Sequence, residues 1–252
     1  MRVFWILLGK ELRHFFLSPL AYVILVLFML INGVSFYAAI SALTRSTSAG
    51  SIVTWMFSTP GFYLSYFAVF PLITMRLVAE ERKLGTLETM LTAPVRASQL
   101  VLSKYAAAAI FYVVLWLPSV ANLLIFQFIS GGAAAVPVGA LLGSYLIVLL
   151  MGFFYLALGL FASALARNQI IAAVLSFTLI LVHFLVGLIA VKLSSTRMLD
   201  MADFFIYFAS IEHLELFTSG VVDTRPIVYY GSLTAFFLVL THQVIEFRRW
   251  KT

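Results

Sequence analysis

Charged residues are scarce in this 252-residue chain. Asp, Glu, Lys and Arg make up 10% of it, against about 25% in soluble domains, and 63% of the residues are hydrophobic. Cysteine is absent, which excludes disulfides, thiolate catalysis and cysteine metal sites. The scarcity of charge excludes an ordinary soluble domain and predicts a membrane protein.

A phosphate-binding loop is also missing. No Gly-x-x-x-x-Gly-Lys-Ser/Thr motif occurs, because Gly9-Lys10 has no glycine at the required position upstream and is followed by Glu11. The apolar runs hold no paired carboxylates, which argues against an ion-driven carrier and against an intramembrane hydrolase. We therefore expect a chain that is not itself an enzyme, binds no cofactor or metal, and takes its energy from a partner.

The long uncharged runs predict membrane spans. About 20 apolar residues cross the hydrocarbon core of a bilayer. The uncharged run over residues 105–166 is long enough for two crossings, and the turn-forming cluster at 130–137 divides it. The sequence predicts an all-α membrane protein with one domain over residues 1–252. Its six spans are expected near 20–43, 57–78, 101–129, 138–165, 170–191 and 226–245.

Residues 2–17 predict an amphipathic helix before the first span. Its apolar side consists of Trp5, Leu8, Leu12, Phe15 and Phe16. Its cationic side consists of Arg2, Lys10, Arg13 and His14. This pattern is typical of a helix lying in the membrane interface. A signal peptide is not expected, because the apolar run is too long, the cleavage site is poor and further spans follow.

The charges predict the orientation of the chain. Six spans place both termini on one side, and twelve of the sixteen basic residues lie on that side. The opposite segments hold the other four basic residues and five acidic ones. The positive-inside rule therefore puts both termini in the cytoplasm. It also explains the net charge of +6 without nucleic acid.

Residues 76–99 form the one well-charged stretch between two predicted spans. They hold four basic and three acidic side chains. A helix from about Leu84 would place Leu84, Leu87 and Leu91 on one face, with Met90 beside them. Gly85, Thr86 and Thr89 would then lie on the opposite face. Such a helix suits docking into a groove of another protein, and the alternative is a solvated loop that only joins two spans.

ABC-2 type transporter permeases have a cytoplasmic loop that is similar to the stretch Glu80-Glu81-Arg82-Lys83-Leu84-Gly85-Thr86-Leu87-Glu88, followed by Leu91 and Pro94. The resemblance is greatest to the subgroup of gliding-motility-associated and nitrous-oxide-reductase-maturation permeases. Two further stretches resemble the same family. Residues 165–173 look like its tight cytoplasmic turn, and residues 211–230 look like its external segment before the last span.

This resemblance implies a permease subunit that exports a substrate across the cytoplasmic membrane. A separate ATPase subunit would hydrolyse ATP, and a second permease chain, identical or a sister, would complete the pore. The loop would be a coupling helix seated in a cleft of the ATPase, formed by Glu80, Glu81, Arg82, Leu84, Gly85, Thr86, Leu87, Glu88, Leu91 and Pro94. A membrane scaffold that recruits a cytoplasmic partner, and a channel, are the alternatives.

Residues 192–225 form a second polar stretch, on the predicted outer side. By resemblance it contains short re-entrant helices, and its candidate site residues are Glu212, His213, Glu215 and Asp223. No two-His-one-carboxylate set occurs locally, so His213 is predicted to hold a turn through hydrogen bonds rather than to bind metal. His183 stands alone among apolar residues, and hydrogen bonding between helices is favoured over proton transfer.

Overall fold

The regular elements of the protein are α-helices throughout the part of the chain that its computed structural model describes, residues 2–45, 51–92, 95–131, 137–195 and 207–249. The predicted all-α class is therefore confirmed for these ranges. Eleven helices follow one another there: α1 (Arg2–Leu17), α2 (Pro19–Arg45), α3 (Ile52–Phe57), α4 (Pro60–Thr74), α5 (Ala79–Lys83), α6 (Thr86–Thr92), α7 (Ala97–Ile129), α8 (Val138–Leu165), α9 (Gln169–Ser195), α10 (Ser210–Thr218) and α11 (Thr224–Arg249).

Five of the described helices are long and apolar enough to cross a membrane, namely α2, α7, α8, α9 and α11. They coincide with five of the six predicted spans. The second predicted span, 57–78, contains one shorter apolar helix, α4, followed by a turn. Pro60 begins α4, because its fixed φ and missing N–H suit the first helical turn. With 15 residues, α4 is about 22 Å long, shorter than a hydrocarbon core of about 30 Å.

Helix α8 is the central helix of the bundle. In its most apolar window 72% of the residues are buried, against 11–33% in the other four candidate spans. Three glycines of α8 let neighbouring helices approach closely, since a Cβ at any of them would collide with the neighbour. These contacts are Gly143 against Phe217 of α10, Gly152 against Tyr112 of α7, and Gly159 against Thr74 of α4.

Two buried tyrosines fasten α4 and α7 to α8. The hydroxyl of Tyr112 donates to the carbonyl oxygen of Val148 at 2.9 Å, and that of Tyr66 donates to the same oxygen at 3.3 Å. Both rings pack on Phe70, with ring centroids 5.0 and 5.2 Å away. The apolar rings fill the core and the hydroxyls are satisfied, which a buried phenol requires.

Helix α1 lies against α7 through one side only. Leu8 and Glu11 are buried there, and the ring of Phe15 stacks on that of Phe111 with centroids 5.3 Å apart. Trp5 is 65% exposed, so the predicted apolar side is divided between the bundle and the surface. The reason is that the face of α1 that packs on α7 is narrower than the predicted apolar side, and this face includes the acidic residue Glu11.

Replacing Gly152 tests the close contact between α7 and α8. In the Gly152→Ala variant the new methyl group must displace the ring of Tyr112. We expect a loss of about 1–3 kcal/mol in the free energy of unfolding, seen as a lower thermal midpoint in detergent. Gly231→Ala on α11 is the matched control, because nothing lies within 4 Å of its added carbon. Equal midpoints for the two variants would contradict this packing.

Candidate functional site

The charged segment between α4 and α7 is two short helices joined at a corner. Helix α5 ends at Lys83 and α6 begins at Thr86. Between them, Gly85 has a φ of 72°, and its N–H donates to the carbonyl oxygen of Arg82 at 3.2 Å. A glycine in this left-handed conformation commonly ends a helix. A helix is therefore present where one was predicted from about Leu84, but it begins at Thr86, so Leu84 lies before it at the corner.

The corner separates the leucines that were predicted to share one face. Leu84 is 67% exposed, whereas Leu87 is 4% exposed and belongs to the hydrophobic core. Leu91 lies in α6, but its side chain is outside the described part of the structure, as is Pro94 altogether. Around the corner, the exposed residues are Lys83, Leu84, Gly85, Thr86, Glu88 and Thr89.

A buried lysine connects the base of this segment to the bundle. The Nζ atom of Lys104, on α7, lies 2.9 Å from Oε1 of Glu11 on α1 and 2.8 Å from Oε1 of Glu81 on α5. The Lys104 side chain is 1% exposed. Lys10 adds a second, exposed cation 3.6 Å from Glu81. Because a buried charge is costly unless it is paired, these ion pairs hold three helices together.

Glu80 is engaged on the neighbouring side of α5. Nε and Nη2 of Arg76 donate to its two carboxylate oxygens at 2.7 and 3.0 Å, and Nη1 donates to Oγ of Ser18 at 2.7 Å. The hydrogen bond from Arg76 lowers the pKa of the Glu80 carboxyl below its ordinary value of 4.5, although burial opposes the shift. The bidentate pair joins the turn after α4 to α5, and the hydrogen bond to Ser18 joins it to the residue between α1 and α2.

The C-terminal end of α8 holds the remaining side of the segment. Oγ of Ser163 accepts hydrogen bonds from the N–H groups of Val78 and Ala79, both at 3.1 Å, and so caps α5. Nη1 of Arg82 donates to the carbonyl oxygens of Leu165 and Ala166 at 3.3 and 2.7 Å. Glu80, Glu81 and Arg82 thus all contact the helical bundle, and the exposed corner at Leu84 projects from it.

The external candidates lie on and just after α10. Glu212 and His213, together with Asp223, line a cleft of about 360 Å³, while Glu215 is exposed. Nδ1 of His213 is 3.2 Å from the hydroxyl of Tyr230. Burial lowers the pKa of His213 to about 4, so the ring is neutral near pH 7. The hydrogen-bonding role predicted for this histidine agrees with the structure, and the described residues contain no metal cluster.

His183 joins three helices inside the bundle. Its Nδ1 lies 3.0 Å from the hydroxyl of Tyr155 on α8, and its Nε2 lies 3.0 Å from the hydroxyl of Tyr229 on α11. One nitrogen of a neutral imidazole donates and the other accepts. Both bonds are therefore satisfied without a charge, as the predicted role between helices requires.

Sequence reasoning missed Glu11 as a site residue and treated Lys104 only as a topological charge. A signal for Glu11 was present. It occupies the position between Leu8 and Phe15 on the buried stripe of α1, where an unpaired carboxylate is not expected. Lys104 likewise lies among apolar residues at the start of a predicted span. The partner of each could not be read from the sequence, because they are 93 positions apart.

Five long apolar helices around a charged segment define a multi-pass membrane protein. The family model described as "ABC-2 family transporter protein" matches residues 13–184, which is more than half of the chain and includes α5 and α6. The chain therefore belongs to the ABC-2 transporter family and is a permease subunit of an ABC transporter. A comparison with curated proteins finds no match.

Removing the charge of Lys104 tests the ion cluster. In Lys104→Met the carboxylates of Glu11 and Glu81 lose their buried partner, and we expect a loss of about 3–5 kcal/mol in the free energy of unfolding. Thermal unfolding in detergent measures this loss, and proteolysis within residues 79–92 reports local release of the segment.

Two further variants make that result specific. Lys10→Met should cost less than about 1 kcal/mol, because Lys10 is 56% exposed and surface pairs contribute little. Combining Lys104→Met with Glu11→Gln and Glu81→Gln should recover most of the lost stability, since no uncompensated charge is left. A Lys104→Met protein as stable as Lys10→Met would contradict the cluster's role.

Proposed function

We propose that the chain is the permease of an ABC-2 exporter in the cytoplasmic membrane, and that residues 79–92 transmit the motion of a separate ABC ATPase to the membrane helices. Membership in the family supports the permease role. The observation that carries the coupling role is the exposed Leu84–Gly85 corner, which projects from a base held by ion pairs and backbone caps.

The base of the segment gives a direct mechanical path. Glu81 connects α5 to α7 and α1 through Lys104, and Arg82 connects it to the end of α8. A displacement applied at the corner would reach three helices without passing through a long loop. Rigid contacts of this kind are what a coupling element needs to bias a two-state bundle.

The corner itself offers the chemistry of docking. Leu84 is 67% exposed, and burying such a side chain contributes about 1.5–3 kcal/mol. Glu88 and Lys83 supply exposed charges. An ion pair between either of them and the ATPase would contribute about 1 kcal/mol or less unless it is desolvated. Glu80, Glu81, Arg82 and Leu87 then act as anchors of the segment rather than as contacts with the ATPase.

The topology we propose has six crossings and both termini in the cytoplasm. Helix α4, the turn at 75–78 and α3 together complete the second crossing, because they lie inside the bundle, where a break in a helix is tolerated. Helix α1 lies along the inner interface with Trp5 towards lipid, and α10 lies at the outer mouth. The ATPase binds the nucleotide, this chain carries no cofactor or metal, and a second permease chain completes the transporter.

A scaffold and a channel remain the competing functions. A scaffold would bind its partner without any effect of ATP turnover, and a channel would conduct without ATP. In this structure the anchoring of α5 to three helices favours a transporter, because a recruiting loop does not need a rigid connection to the bundle core.

Charge and polarity changes at the corner test the docking. In Leu84→Asp and in Glu88→Arg we expect at least a tenfold loss of copurified ATPase when this chain alone is tagged and coexpressed with a candidate ABC ATPase. The physical reason is the loss of apolar contact in the first variant and of charge complementarity in the second. Membrane insertion and thermal stability should be unchanged, since both side chains are exposed.

The matched controls lie on α10. Leu216→Asp and Glu215→Arg make the same changes at exposed positions on the proposed outer side, and should retain the ATPase. If the corner variants hold the ATPase as well as the controls do, the coupling assignment fails. Partner binding that survives together with ATP-independent conduction would favour a channel.

A further inference from the structure

A groove of about 560 Å³ runs between α8 and α11 near the end of α8. Its walls are apolar, and they are formed by Phe161 and Leu165 on one side and by Leu240, Val244 and Phe247 on the other. The groove lies on the outside of the bundle along two candidate membrane spans. Its surface is therefore of the kind that hydrocarbon chains contact.

Two arginines, Arg82 and Arg248, also line the groove. Nη2 of Arg248 donates to the carbonyl oxygens of Ala164 and Leu165 at 2.6 and 3.4 Å. Nη1 of Arg82 donates to the same Leu165 oxygen at 3.3 Å. Both arginines line the groove and share the Leu165 carbonyl, so two positive charges lie close together beside apolar walls.

The two acidic residues of α5 have other partners. Glu80 is paired with Arg76, and Glu81 is paired with Lys104. Glu246 is two positions from Arg248 on α11, which places it about 200° around the helix. The carbonyls at the end of α8 orient the guanidinium groups and partly offset their charge, while each guanidinium has five N–H donors in all.

We propose that this groove binds one acidic phospholipid of the same leaflet as the coupling segment. The phosphate lies against Arg82 and Arg248, and an acyl chain lies in the groove between α8 and α11. Basic pockets between membrane helices at the cytoplasmic side suit such headgroups. This lipid site does not depend on ATPase docking, since the corner at Leu84 is not part of it.

Charge and shape together favour a lipid over other occupants. A soluble phosphate would use the arginines but not the apolar walls. A second copy of the chain, meeting this one through a two-fold contact, would bring its own pair of arginines to the same interface, and like charges there cost energy. A phospholipid uses both parts of the site.

Native mass spectrometry of the delipidated full chain in detergent tests the proposal, with phosphatidylglycerol and phosphatidylcholine of identical acyl chains as probes. We expect one site that prefers phosphatidylglycerol by at least tenfold. Arg248→Gln should weaken that lipid about fivefold, and the Arg82→Gln, Arg248→Gln double variant about 25-fold, at about fivefold per arginine. Arg248→Lys should retain most of the preference, and Val244→Trp should weaken both lipids by filling the groove.

The controls separate this site from general lipid contact and from folding. Arg13→Gln removes an exposed charge on α1, and Val239→Trp adds the same bulk to an exposed position of α11, so both should bind as wild type. Arg248→Gln should still copurify with the ATPase. The proposal is overturned if both lipids bind equally, if glycerol phosphate displaces the lipid, or if the double variant keeps its preference. It is also overturned if Val244→Trp dissociates a dimer.

Discussion

The arrangement of this permease depends on the buried ion pairs between the ammonium group of Lys104 and two carboxylates. Taking a lysine and two glutamates out of water is costly, and the cost is recovered only when all three remain in contact. Glu11, Lys104 and Glu81 belong to α1, α7 and α5, which are remote in sequence. Moving α1 or α5 away would remove one of the two carboxylates that neutralise Lys104, so the cluster favours one arrangement of the three helices.

This constraint explains how a short polar segment can serve a membrane bundle. Helices α5 and α6 are too short to be stable alone, and their positions are set by contacts with longer helices. Ser163 caps α5, Arg82 binds the end of α8, and Leu87 lies in the core. The corner at Leu84 and Gly85 is left exposed, and a partner can bind it. The same end of α8 orients the two arginines of the lipid groove.

The sequence was sufficient for the long helices and insufficient for their contacts. Uncharged runs with few turn residues predicted six spans, because the hydrocarbon core demands length and apolarity, and five of them coincide with long apolar helices. For the second predicted span the structure has a shorter helix, α4, which begins at Pro60 and ends at Thr74. The leucine stripe failed at Gly85. Basic residues such as Arg82 and Lys83 shortly before a glycine are a signal that a helix ends. The prediction followed the apolar periodicity instead of this signal.

The ion cluster and the glycine contacts of α8 could not be predicted in the same way. A pattern shows that Glu11 lies on a buried stripe, but only the packing of α1 on α7 shows that Lys104 faces it. Likewise, Gly152 is one small residue among many until the ring of Tyr112 is placed over it. Both features depend on which helices are neighbours, and hydropathy carries no information about that choice.

The most direct test of the central claim is the distance between α1 and α5 during the ATP cycle. The chain has no native cysteine, so spin labels can be placed at exposed Arg13 and Lys83 in the complex with the ATPase. If the cluster joins the coupling segment to the bundle, double electron–electron resonance gives one narrow distance that is the same without nucleotide and with ATP. A distance that broadens or shifts when ATP binds would show that the segment moves independently of α1, and would contradict the account.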